Sequence, residues 1–213
     1  MRTQPLGDSA ITIAFGTERS AELLTQVHAA TASLAAAGLP EVQDIVPAYL
    51  GVAVFYDPLQ TSYREMTTKL LPVCERAAAA TMVSGKSREH EIRVTYDGPD
   101  LEQVSVSVGL SVEEVIARHV GRSYTVDLIG FVPGFGYLSE LDFALQLPRR
   151  SQPRPRVPAG SVAIAGAQTA VYPLDTPGGW HIIGRTDRLM FDPLSDPPAL
   201  LRGGDKVRFV PAP

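Results

Sequence analysis

The chain has 213 residues, 45% of them hydrophobic, and a formal net charge of −4 at pH 7, so no overall positive field exists to attract a polyanion and nucleic acid is an unexpected partner. No run approaches the ~20 uninterrupted apolar residues of a membrane span, residues 1–8 lack a signal-type apolar region, and the only cysteine, Cys74, excludes an intrachain disulfide. A cytoplasmic protein of two domains, each of ~100 residues, is expected, with no membrane partner.

Ser9 to Phe15 has a strand pattern, and Leu23, Val27, Ala30 and Leu34 then recur at helical spacing until Gly38 supplies a stop. Val42 to Tyr56 is β-rich with a break at Pro47. After the turn at Asp57-Pro58, the residues Tyr63, Met66, Leu70, Val73 and Ala77 mark one face of a second helix, in which Pro72 predicts a kink or a fresh start. Cys74 lies among these apolar positions and reads as core. Residues 1–86 are thus expected to form an α+β domain, a small sheet with two helices on one face.

Ala80 to Ser87 has the outline of a loosened P-loop with alanine in place of its first glycine. A phosphate cradle must follow a strand and open a helix, whereas this segment follows a helix and precedes the strand Glu91 to Tyr96, so it reads as a linker. The domain boundary is placed there, and residues 87–213 form the second domain. One helix is clear in it, with Ser111 as N-cap, Glu114 three residues on, a Leu110/Val115 staple and Gly121 at its end. The remainder reads as short Val-, Ile- and Ala-rich strands between Pro and Gly turns, which suits a closed or nearly closed barrel.

Chemistry-bearing residues crowd the last third. Arg149, Arg150, Arg154 and Arg156 alternate with prolines that hold the backbone extended, and their guanidinium forks suit a carboxylate or phosphate, either a ligand's or a partner's. Arg150 and Arg154 are the preferred pair for a substrate or nucleotide. His181 reads either as a packed histidine or as a proton-transfer group, given Gly178, Gly179 and Arg185 around it. Gln168 follows Ala165-Gly166-Ala167, small residues that permit close approach; its amide can pair with both the N–H and the C=O of a lactam or be satisfied by backbone. Phe135 and Tyr137, in the turn Pro133-Gly134-Phe135-Gly136-Tyr137, wall a pocket or cap the barrel. His28, His90 and His119 have no second ligand at metal spacing, and no structural metal is expected. The absence of a Gly-x-Ser-x-Gly elbow argues against a free-standing serine hydrolase.

Three stretches, Gly130-Phe131-Val132-Pro133-Gly134-Phe135-Gly136-Tyr137-Leu138, Val157 to Thr169 and Pro177 to Thr186, resemble a bacterial family that holds the B component of 5-oxoprolinase, KipI-type inhibitors of sporulation histidine kinases and proteins labelled allophanate hydrolase subunit 1. Leu6 to Ala10, Val46 to Tyr49 and Pro99-Asp100-Leu101 fit the same pattern, and the resemblance covers almost the whole chain. Gly136 departs from it, standing where the family has proline, and the turn at Tyr96-Asp97-Gly98 is short.

The resemblance implies a cyclophilin-like barrel for the second domain. It also implies an ATP-dependent 5-oxoprolinase that opens the lactam of 5-oxoproline to L-glutamate with two partner proteins, a barrel-type C component and an A component. ATP and Mg²⁺ would act in the complex, with none bound tightly by this chain alone. On that reading Arg150, Arg154 and Arg185 hold anionic groups, Gln168 orients the lactam, His181 assists proton movement, and Phe135, Tyr137 and Gly166 border the substrate. The alternatives are a non-enzymatic inhibitor of a sensor histidine kinase and, more remotely, carboxyltransferase work on urea or another amide.

Overall fold

The computed structural model describes residues 1–80 and 87–212; the P-loop-like segment and the linker therefore lie largely outside the described residues. The chain divides into two compact units, Met1–Lys86 and Ser87–Pro213.

In the first unit, strands β1 (Arg2–Pro5), β2 (Ala10–Ala14), β3 (Val42–Pro47) and β4 (Gly51–Tyr56) form an antiparallel sheet in the order β1-β2-β4-β3. Helices α1 (Ala21–Ala37) and α2 (Tyr63–Ala79) pack on it. Ser20 caps α1 by accepting from Leu23 N–H, and Gly38, at φ 56°, ends it in the left-handed conformation that glycine adopts without strain. Ser62 and Glu65 cap α2 reciprocally. Val27, Ala30 and Leu34 of α1 and Met66, Leu70, Cys74 and Ala77 of α2 meet Ile11, Ile13, Val52, Val54 and Tyr56 of the sheet in one core.

No new helix starts at Pro72, one of the two outcomes the proline predicts. The helix α2 runs through it. A proline in a helix interior costs about 3 kcal/mol, and burying Met66, Leu70 and Cys74 at about 2 kcal/mol per large apolar side chain exceeds that cost. The core also pushes the Cys74 thiol up to about 11, chiefly by burial, so it is an inert apolar group.

The second unit carries β5 (Glu89–Val94), α3 (Leu101–Val108), α4 (Val112–Val120), β6 (Ser123–Ile129), β7 (Gly136–Ser139), β8 (Arg154–Val157), β9 (Ser161–Ala165), β10 (Gln168–Val171), β11 (Thr176–Gly178), β12 (His181–Arg185) and β13 (Lys206–Pro211). Seven of the strands make one sheet in the order β12-β9-β10-β7-β6-β13-β5, while β8 and β11 pair separately. Its two edges meet: Thr95, just past β5, and Arg185 of β12 exchange backbone hydrogen bonds of 2.9 Å each. Gly98 N–H and Asp100 N–H continue the seam onto Ile183 O and Ile182 O, and the sheet becomes a nearly closed barrel, as expected.

Helix α4 has the predicted capping box from Ser111 and Glu114. Helix α3 departs from the expectation of short strands around α4. Its Leu101, Val104 and Val108 recur at i, i+3 and i+7, and Gly109 ends it at φ 68°. Leu101, Val104 and Val115 join Ile92, Tyr124, Leu138, Val162, Ile164, Ile183 and Phe209 in the main core. Among the described residues no helix is long and apolar enough to cross a membrane.

Candidate functional site

Strand alternation gives the barrel wall two buried faces. Along β9, Val162 and Ile164 enter the main core, whereas Ala163 and Ala165 join a second cluster with Phe135, Val157, Ala170, Tyr172, Trp180 and Ile182. Val132 and Tyr137 pack at the margin of that outer cluster. Phe135 sits at its centre, edge-on to Tyr137, Tyr172 and Trp180 at centroid distances of 4.9, 5.2 and 5.6 Å. Phe135 is thus packed in the cluster, while Tyr137 is half-buried beside it. Burial raises the Tyr172 phenol above its usual range, opposed by the Trp180 N–H and by the charges of Arg149 and Arg154.

Polar groups flank this aromatic patch on two sides. On one side, the Ala165↔Gln168 pairing brackets a two-residue turn, Gly166-Ala167, in which Gly166 takes φ 55°. A Cβ at Gly166 would meet nothing within 4 Å, so the turn is open to approach. Gln168 shares the outer face with its partner Ala165. Asp127, 1% exposed, occupies the irregularity of β6 between Val126 and Leu128. Its Oδ1 accepts from Ser139 Oγ at 2.5 Å and its Oδ2 from Gln168 Nε2 at 3.0 Å.

On the other side, Arg150 and Arg154 converge on Asp100. Arg154 spans both carboxylate oxygens at 2.9 and 2.7 Å, and Arg150 Nη1 donates to Oδ1 at 2.8 Å. Ile182 N–H donates to the same carboxylate at 2.7 Å. Burial alone would raise the Asp100 carboxyl, but these bonds and the two cations outweigh it and hold it below the ordinary range. The carboxylate for which the arginine forks are suited is therefore supplied internally, and two guanidiniums on one carboxylate leave one net positive charge beside the aromatic patch. Arg150 Nε is buried without a hydrogen-bond partner.

The remaining predicted residues stand apart. His181 pairs in register with Ile164 and so lies on the opposite face of the sheet from Gln168. Its Nε2 contacts Pro148 O at 2.9 Å, and its Nδ1 is buried and unpaired. Arg185 lies at the barrel seam, exposed, with its Nε on Asp97 at 2.9 Å. The structure thus unites Arg150 with Arg154 and Phe135 with Tyr137, and separates His181 and Arg185 from Gln168. Sequence reasoning assigns no role to Asp100, Asp127, Ser139 or Tyr172; the hydrogen-bond partners described for the first three are 12 to 82 residues away along the chain. His90 pairs with Asp205, and His119 is enclosed by the barrel. Among the described residues no three His, Cys, Asp or Glu side chains gather to hold a metal.

Residues 1–201 match the family model described as carboxyltransferase domain, subdomain C and D. A protein from Bacillus subtilis (strain 168), named as the B component of 5-oxoprolinase, is 40% identical over 97% of this chain and 91% of its own length. One of the same name from Escherichia coli O157:H7 is 43% identical over 81% of this chain and 79% of its own. Among solved structures, TTHA0988 superposes with a TM-score of 0.86 at 40% identity over 97% of this chain, which spans 40% of that longer chain. The K. lactis urea amidolyase, at 14% identity, shares the fold with a TM-score of 0.75 over 99% of this chain and 15% of its own.

Proposed function

The chain belongs to the carboxyltransferase subdomain C and D family, and from that premise we propose that it acts as the B component of an ATP-dependent 5-oxoprolinase, with the A and C components as partners and 5-oxoproline as substrate. The observation that carries this reading is the likeness along most of the chain to two proteins bearing that name. The shared name supports the enzyme over the kinase-inhibitor alternative.

A five-membered lactam is resonance-stabilised, and ATP with Mg²⁺ would supply the phosphoryl group that, placed on the lactam oxygen, opens the carbonyl carbon to attack by water. ATP and Mg²⁺ would act in the assembled complex, and this reading places no nucleotide step on this chain. Its own groups bind and orient. Gln168, beside the open Gly166 turn, pairs with the lactam edge. The Arg150/Arg154 pair, one positive charge in excess over Asp100, attracts the substrate carboxylate along the wall formed by Phe135, Tyr137 and Trp180. His181 Nδ1, buried and unpaired, is an acceptor for a proton on the other side of the wall, and Arg185 is exposed for an anion brought by a partner.

The test is glutamate release from 5-oxoproline and Mg-ATP by this chain mixed with its cognate A and C components, against the same mixture lacking it. Release is expected only when the chain is present, and Gln168→Ala is expected to lower kcat/KM at least about tenfold while leaving the fold intact. Equal release with and without the chain would refute the assignment.

A further inference from the structure

We propose that Asp127, supported by Ser139, is a positioning residue that decides which edge of the Gln168 amide faces the substrate. The inference rests on the 5-oxoprolinase reading and adds to it the basis of selection for a lactam. Both contacts run toward the carboxylate, Ser139 Oγ–H to Oδ1 at 2.5 Å and Gln168 Nε2–H to Oδ2 at 3.0 Å. Turning the amide over would set Gln168 Oε1 against Asp127 Oδ2, acceptor against acceptor, so the side chain is held in one of its two orientations.

That orientation has a chemical consequence. With one Nε2 hydrogen on Asp127, Gln168 turns its Oε1 away from the carboxylate. A lactam carries its ring N–H and C=O in cis, side by side on one edge. Gln168 Oε1 is the group that accepts the ring N–H, and Asp127 keeps it pointing the right way. The open Gly166 turn beside Gln168 leaves room for the ring. Asp127 itself is 1% exposed and acts through Gln168 rather than on substrate.

The experiment uses the assembled complex with cognate A and C components. It compares the KM for 5-oxoproline with the inhibition constant of 5-oxotetrahydrofuran-2-carboxylate, in which a ring oxygen replaces the lactam N–H. The wild type is expected to favour the lactam, and Asp127→Ala to reduce that preference by about tenfold or more, the scale on which a site built to hydrogen-bond a group rejects an analogue lacking it. Asp127→Asn keeps an oxygen for Gln168 Nε2, and Ser139 Oγ can rotate to accept from the new amide, so the preference is retained within about twofold. A wild-type preference in Asp127→Ala overturns the inference. So does equal loss in Asp127→Ala and Asp127→Asn, which would assign the effect to charge.

If Asp127→Ala does not assemble, Ser139→Ala gives the answer. A partial loss of preference supports the inference, and an unchanged preference overturns it. A wild-type complex that releases no glutamate fails one step earlier, removing the 5-oxoprolinase reading and this inference with it, whereas failure of the inference alone appears only in the variants.

Discussion

His119 lies wholly inside the barrel, stacked on Phe209, and its ring is bonded at both nitrogens. Thr169 Oγ–H donates to Ala163 O and therefore accepts from His119 Nε2–H, which leaves Nδ1 to accept from Tyr96 Oη–H at 2.7 Å. A proton on this ring would place an unpaired charge in the core, and burial lowers the His119 pKa to about 3. In the unfolded chain the ring titrates near its ordinary value of about 6.5. Between those values the unfolded state binds the extra proton, so stability that is fully present above about pH 6.5 is lost as pH falls toward 3, at about 1.4 kcal/mol per unit. Urea unfolding at pH 7, 6 and 5 should show that slope in the wild type, and a slope smaller by about one proton in His119→Gln; parallel slopes would contradict it. Nothing in the sequence around His119 announces this role, because Tyr96 and Thr169 are 23 and 50 positions away. Arg150 and Arg154 are legible for the opposite reason, since fixed charges among prolines stand out locally. Their carboxylate is not, as Asp100 lies 50 positions upstream of Arg150. Asp127 reads as one acid in the strand-like run Val126-Asp127-Leu128, and only the bulge, a matter of pairing with β7, turns it toward Ser139 and Gln168.

Elements whose ends carry their own chemistry are legible in the sequence. Ser111 with Glu114, and Leu34 followed by Gly38, specify a helix start and a helix stop within a few residues. Helix α3 is hidden because Val104-Ser105-Val106-Ser107-Val108 alternates apolar and polar residues, a strand signal, while the helix buries only one side of that run and leaves Val106 76% exposed. Strand β1 is hidden because Arg2-Thr3-Gln4-Pro5 is a polar sheet edge that, among the described residues, pairs only with β2. The barrel seam is equally obscure, since it joins residues 95–100 to β12 some 90 positions later. Glycine makes that approach possible. A Cβ on Gly98 would lie 2.4 Å from Ile182 O and 2.4 Å from Ile183 C, both backbone atoms that cannot move without breaking the pairing of β12 with β9. Gly98→Ala is therefore expected to cost about 2 kcal/mol or more by forced separation of the seam. Hydrogen exchange should show the loss as faster exchange at Thr95, Asp100 and Arg185 amides. Exchange unchanged at all three amides would mean that the seam does not need the glycine.

At the scale of the whole molecule, the shortness of the strands and their Pro- and Gly-rich turns make a β-rich second domain legible, and the two helical faces of the first half make an α+β unit legible. How the strands are ordered is not, because β5 runs parallel to β13 at the far end of the chain and no local pattern encodes a partner more than 100 residues away. That long-range pairing has a consequence for folding. Every buried member of the α+β core lies between Ile11 and Ala77, and the buried members of both barrel clusters lie between Ile92 and Phe209. Among the described residues neither core takes a buried apolar side chain from the other, which is the condition for a domain to fold alone. Expressed separately, residues 87–213 are expected to unfold in one cooperative urea transition, with the near-ultraviolet circular dichroism of the packed Trp180 and the acid-dependent slope of His119 both retained. The slope is the more discriminating signal, since a collapsed but loosely packed barrel would let water reach the imidazole and return its pKa toward about 6.5. A fragment that shows secondary structure but neither signal would mean that the barrel closes only with the first unit present.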